Sequence, residues 1–153
     1  MCLVIESLEP LIATEEIKVY KKCKLMPNNE IFSYFGWNNN NYRYGKIEEA
    51  VICPEPSINY PSLTAANYPD LSKKPLFVIS EGLHGKLSLD SLKLNPNDNI
   101  SFNGTRRVVL TEWIIPVGTK YYAGNPTYKN VASEKLIFSK FITEVEEDKI
   151  LWR

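Results

Sequence analysis

A chain of 153 residues that is 44% hydrophobic, 12% aromatic and 24% charged lies within the globular range and excludes disorder along its whole length. Its 18 basic and 18 acidic residues cancel to a formal net charge of zero, so no bulk field is present to hold a polyanion or an anionic membrane surface. One domain over 1–153 is expected from this length, and a nucleic-acid partner is disfavoured.

The opening Met1-Cys2-Leu3-Val4-Ile5 meets Glu6 at once, without the basic start and the apolar stretch of a signal peptide. No run of about 18 apolar residues occurs, so neither a membrane-spanning helix nor a membrane partner is expected. Cys2, Cys23 and Cys53 are odd in number and far apart, which fits neither a disulfide framework nor a zinc site. Reduced thiols, no metal and a cytoplasmic location are the expectation.

In chain order, Glu16 to Cys23 alternates Ile17, Val19 and Lys21 on one face with Lys18, Tyr20 and Lys22 on the other, which is a strand. Glu30 to Trp37 and Tyr42 to Val51 flank the Asn38–Asn41 cluster in a hairpin-like arrangement. From Pro54 to Pro75 five prolines (Pro54, Pro56, Pro61, Pro69 and Pro75) forbid a central strand, and a proline-rich surface excursion over about 54–75 is expected. Leu76 to Ser80 reads as a short buried strand and Glu81-Gly82-Leu83-His84-Gly85 as a corner. The stretch Leu87 to Leu94 is compatible with an extended segment or with a short helix capped by Ser88, the helix being preferred. Arg106 to Ile115 approaches the continuous apolar run of a strand buried on both faces and should be central. Pro116-Val117-Gly118-Thr119 turns the chain into Lys120-Tyr121-Tyr122. A last strand runs from about Ser133 to Ile142, and Ile150-Leu151-Trp152 should dock on the body. The expected fold class is α+β, strand-rich and mainly antiparallel.

The Gly82-Leu83-His84-Gly85 corner and the Ile115-Pro116-Val117-Gly118-Thr119-Lys120-Tyr121-Tyr122 turn resemble a group of uncharacterised bacterial and phage proteins with a Gly-Phe-His corner and an Ile-Pro-Lys-Gly-Thr-Lys-Tyr-Tyr turn. More distantly, the same order of segments is similar to the ADP-ribosyltransferase fold. The resemblance aligns Tyr20-Lys21 with that family's Tyr-Arg pair, Gly82 to Gly85 with its Gly-Phe-x-Ser-Thr-Ser segment, Ile115 to Thr119 with its turn and Ser133 to Leu136 with its Glu-x-Glu. It implies Glu134 as the catalytic carboxylate and Lys21, Tyr20 and Tyr121 as groups holding NAD, should transferase chemistry persist. The departures are chemical. Lys21 has no planar, bidentate guanidinium, no Ser-Thr-Ser follows Gly82, and either Ala132 or Leu136 stands where a second glutamate belongs.

His84 is the only histidine, so any histidine-assisted catalysis must use it and a multi-histidine metal site within one chain is excluded. Between two glycines it is either a ligand-facing ring or one that holds the turn through a backbone carbonyl. Lys18, Lys21, Lys22 and Lys24 around Tyr20 form either a phosphate-binding cluster or a solvated edge. The expectation is a non-catalytic binding or regulatory domain, with a small molecule or a protein as partner, using a cleft bounded by Lys21, His84, Tyr121 and Glu134. The alternatives are an NAD-dependent ADP-ribosyl transferase or glycohydrolase with displaced residues, and a protein-interaction module acting through the proline- and tyrosine-rich excursion.

Overall fold

A computed structural model describes residues 3–5, 8–33, 46–56, 77–79, 83–92, 107–124 and 129–152. Their regular structure is twelve strands: β1 (Leu3–Ile5), β2 (Leu11–Ile12), β3 (Ile17–Leu25), β4 (Ile31–Ser33), β5 (Ile47–Glu49), β6 (Glu55–Pro56), β7 (Phe77–Ile79), β8 (Leu83–Lys86), β9 (Arg107–Ile115), β10 (Lys120–Ala123), β11 (Asn130–Ser133) and β12 (Lys135–Phe141). Two single 3-10 turns, Leu89–Ser91 and Glu147–Lys149, accompany them.

The spine is the antiparallel pair of the two longest strands, β3 and β9, in register from Ile17↔Ile115 to Leu25↔Arg107. Because residues opposite each other share a face, Ile17, Val19, Lys21 and Cys23 lie with Ile115, Trp113, Thr111 and Val109. Lys18, Tyr20, Lys22 and Lys24 lie with Ile114, Glu112, Leu110 and Val108 on the other face. From this pair the large sheet extends as β2-β10-β11-β8-β3-β9-β12-β5, with β4 added to β3 and every pairing antiparallel.

The sheet is curled into a ring. β11 and β12 are one run of chain interrupted only at Glu134, so the path β11-β8-β3-β9-β12 returns to the strand on which it began. All five contribute to one enclosed cluster of Val19, Leu83, Trp113, Ile115, Val131 and Leu136. The inward set is odd-numbered before Glu134 (Val131, Ser133) and even-numbered after it (Leu136, Phe138), so the bend absorbs one residue of the alternation. A second irregularity falls between Phe138 and Lys140, returning Phe141 to the inner face opposite Thr111. Gly85 faces this interior, where an added Cβ would lie 3.2 Å from the Cβ of Val19.

Outside the ring a three-stranded sheet, β1-β7-β6, packs through Leu3, Ile5 and Ile79 onto Tyr122 of β10 and Ala132 of β11. At one end of the ring Cys23, Ile31, Val109 and Ile150 form a third cluster. Trp152 reaches from it into the first, with its ring 4.7 Å from Phe138 and 6.5 Å from Trp113, centroid to centroid. The expected docking of Ile150-Leu151-Trp152 is therefore seen, and Leu151 N–H donates to the Asn29 carbonyl.

Several expectations are corrected. The α+β class gives way to a nearly all-β architecture, because no α-helix occurs among the described residues. The preferred helix over 87–94 reduces to the single turn Leu89–Ser91, with no side-chain cap from Ser88 and no buried residue, so no apolar stripe exists to hold a longer helix; residues 93 and 94 lie outside the described residues. Of the hairpin-like arrangement around the Asn cluster, β4 joins β3 and β5 joins β12, while residues 34–45, on which its pairing would fall, lie outside the described residues. Of the proline-rich excursion only 54–56 are described, where Glu55–Pro56 forms an edge of the small sheet, the position proline tolerates. The central strand is where Arg106 to Ile115 was expected, flanked on both sides by β3 and β12. No described helix is long and apolar enough to cross a membrane.

Candidate functional site

The two ends of the large sheet meet at a single open depression of about 580 Å³. Its lining includes Ile12 from the β2 end, Val51 from beyond β5, Gly118 and Thr119 from the turn after β9, and Lys120 and Glu134. Local sequence explains how these come together. Pro116 to Thr119 is a tight turn closed by Thr119 N–H donating to the Pro116 carbonyl, with Gly118 at φ +85°, a conformation that favours glycine. That turn is pinned to the chain after β2 by Ala13 N–H to the Thr119 carbonyl and Gly118 N–H to the Ala13 carbonyl. Glu134, at the bend of the long strand, donates its N–H to the Lys120 carbonyl and accepts from Ala50 N–H, so it joins both ends of the sheet.

The charges of the depression divide into two kinds. Glu49 and Lys135 face each other at 3.8 Å and neutralise one another. Glu134 is half-buried, and its carboxylate makes no hydrogen bond or ion pair among the described residues; nor does the ammonium of the exposed Lys120. The apolar part is open, with Ile12 53% and Val51 71% exposed, and Val117 beside it 62% exposed. A surface that combines exposed aliphatic contact with charged groups not paired to each other can bind and orient a ligand.

The other residues singled out by sequence lie elsewhere. Lys21 is buried and turns into the ring beside Cys23 and opposite Thr111. Tyr20, next to it in the chain, points outward between Lys86 and Glu112. His84 is half-buried on the outer face, in one row with Ala132 and Tyr122 and thus on the side covered by the small sheet. Tyr121 packs against the inner cluster. Lys21 and His84 therefore occupy opposite faces of the sheet, and of the expected cleft residues the depression collects Glu134 alone.

Two features escaped the sequence reading. The first is the contribution of Ile12, Val51 and Lys120 to one surface, signalled only by apolar residues beside turn residues. The second is a polar row on the outer face, Asn130–Lys86–Tyr20–Glu112–Lys140, running across β11, β8, β3, β9 and β12. Glu112 is 3% exposed at its centre and lies 3.8 Å from the Lys18 ammonium and 3.5 Å from that of Lys140. Burial holds the Lys86 ammonium below the usual lysine range. No group of metal-ligating side chains occurs among the described residues. Comparison with protein-family models, with curated proteins and with solved structures returns no match.

Proposed function

We propose that this protein is a non-catalytic binding domain whose ligand surface is the depression between the two ends of the large sheet. The observation that carries the reading is the joint presence there of aliphatic side chains more than half exposed and a half-buried glutamate, Glu134, whose carboxylate makes no ion pair among the described residues. Placement of Lys21 inside the ring and His84 outside it supports a binding role over a transferase, since chemistry on one bond needs its groups at one locus. We place the protein in the cytoplasm, which accords with the unbridged thiols of Cys23 and Cys53.

Peptide-display selection on the intact chain, counter-screened on Val51→Asp, tests the surface. Ligands recovered on the wild type should lose roughly tenfold or more in affinity for the variant, because a carboxylate replaces aliphatic contact area. Ligands indifferent to Val51→Asp would move the binding function elsewhere. Calorimetric titration with NAD should give neither binding heat nor nicotinamide release, and turnover of NAD would overturn the non-catalytic reading.

A further inference from the structure

The depression is neutral as well as partly apolar. Its lining carries two glutamates, Glu49 and Glu134, and two lysines, Lys120 and Lys135, within a chain whose formal net charge is zero. A ligand of one strong sign gains nothing from such a surface, whereas two copies of the chain approach each other without net repulsion. The signs are also placed side by side. Glu134 is joined to Lys120 by its N–H to the Lys120 carbonyl, and Glu49 lies opposite Lys135 in the register of β5 on β12. An acid beside a base is self-complementary under a two-fold axis, because rotation sets each acid against the other copy's base, the match that an isologous interface requires. Shape adds a projection beside the hollow. Val117, at the tip of the Pro116–Thr119 turn, is 62% exposed, and the next residue, Gly118, lines the depression with Ile12 and Val51, which are 53% and 71% exposed. Aliphatic surface left open in this way is what an interface covers.

We infer that the occupant of the depression is a second copy of this chain. In the two-fold dimer, Val117 of each copy seats against Ile12 and Val51 of the other, and Glu134 of each faces Lys120 of the other. This rests on the depression being the binding surface, and it adds the partner. Nine residues line the depression, against roughly 20–30 a side in a standard interface, so the dimer is a reversible one with a Kd on the order of micromolar.

Sedimentation velocity on the intact chain, over concentrations of about 1–500 μM that bracket such an affinity, should show a monomer passing into a dimer. Val51→Asp, Glu134→Lys and Lys120→Glu should each weaken the dimer roughly tenfold or more, the two charge variants because both cross-pairs become like-charged. Mixing Glu134→Lys with Lys120→Glu should restore it, since the heterodimer sets two lysines of one chain against two glutamates of the other. That rescue also shows that both variants fold. A chain monomeric at every concentration overturns the second copy. A dimer indifferent to all three variants, or weakened by the charge variants without rescue on mixing, overturns the arrangement. Failure of the underlying reading is seen separately, through the peptides recovered by display. If the chain stays monomeric while those peptides still discriminate against Val51→Asp, the depression keeps its binding role with a peptide as occupant; if they are indifferent, both readings fall.

Discussion

Thr111 has one hydroxyl proton, and the structure commits it to the Lys21 carbonyl at 2.9 Å. The same oxygen accepts from the Trp113 indole N–H at 2.8 Å, so the Cys23 thiol, 3.5 Å away, must be the donor in its own contact. All of these groups are buried. Thr111→Val keeps the shape and removes the buried hydroxyl that the Lys21 carbonyl and the Trp113 indole N–H share, so a loss of about 1–3 kcal/mol is expected in urea unfolding. Thr111→Ser should retain most of it. A protonated Cys23 thiol also fits its surroundings, because burial pushes its pKa above the ordinary 9.0, more than the Thr111 contact and the Lys21 charge lower it. The sign follows from proton linkage: a folded-state pKa above the unfolded one gives stability that is complete below the unfolded value and is lost as pH rises through the folded value. Thermal unfolding across the range above pH 9 should therefore decline more steeply for the wild type than for Cys23→Ala, and parallel curves would remove Cys23 from the alkaline limb.

Among the elements, β8 and the outer polar row are the most exposed to single changes. Gly85→Ala puts a methyl 3.2 Å from the Val19 Cβ, an atom fixed to its backbone and unable to rotate aside, so a loss of about 1–3 kcal/mol by overpacking is expected in denaturant unfolding. Glu112 on β9 is bridged by two lysines that are each mostly exposed. Lys18→Ala or Lys140→Ala alone should cost under about 1 kcal/mol, since the other cation remains. The double variant should exceed the sum by roughly 1 kcal/mol, because a buried carboxylate then loses both cations, and strict additivity in a double-mutant cycle would contradict that account.

The same elements show what was legible in the chain. β3 and β9 could be read because Ile17, Val19 and Cys23 alternate with lysines and because Val108 to Ile115 is nearly all apolar. The bent strand β11–β12 could not, since the alternation slips at Glu134 and again between Phe138 and Lys140, and a reader following one parity loses the inner face. Turn composition around Asn38–Asn41 suggested local pairing, which falls on residues outside the described ones; the described strands beside it, β4 and β5, pair with β3 and β12, and nothing in their three-residue lengths signals those distant partners. For Leu87 to Leu94 the helix preference failed because none of the residues of its single turn is buried and local propensity alone does not sustain a short helix.

At the scale of the whole molecule, closure of the large sheet through residues 130–141 decides where the site falls. It sends Lys21 inward and His84 outward, and it brings the β2 and β5 ends together over Glu134. Sequence pointed to Glu134 and to the Pro116–Thr119 turn, which do lie together, but Ile12 and Val51 are 39 positions apart and only ring closure makes them neighbours of the same carboxylate. Hydrogen–deuterium exchange of the intact chain, with and without a ligand recovered by peptide selection, tests this most directly. Ligand-induced protection is expected at Glu49 to Val51, at Gly118 to Lys120 and at Glu134; protection that spares these three segments and gathers elsewhere would contradict it.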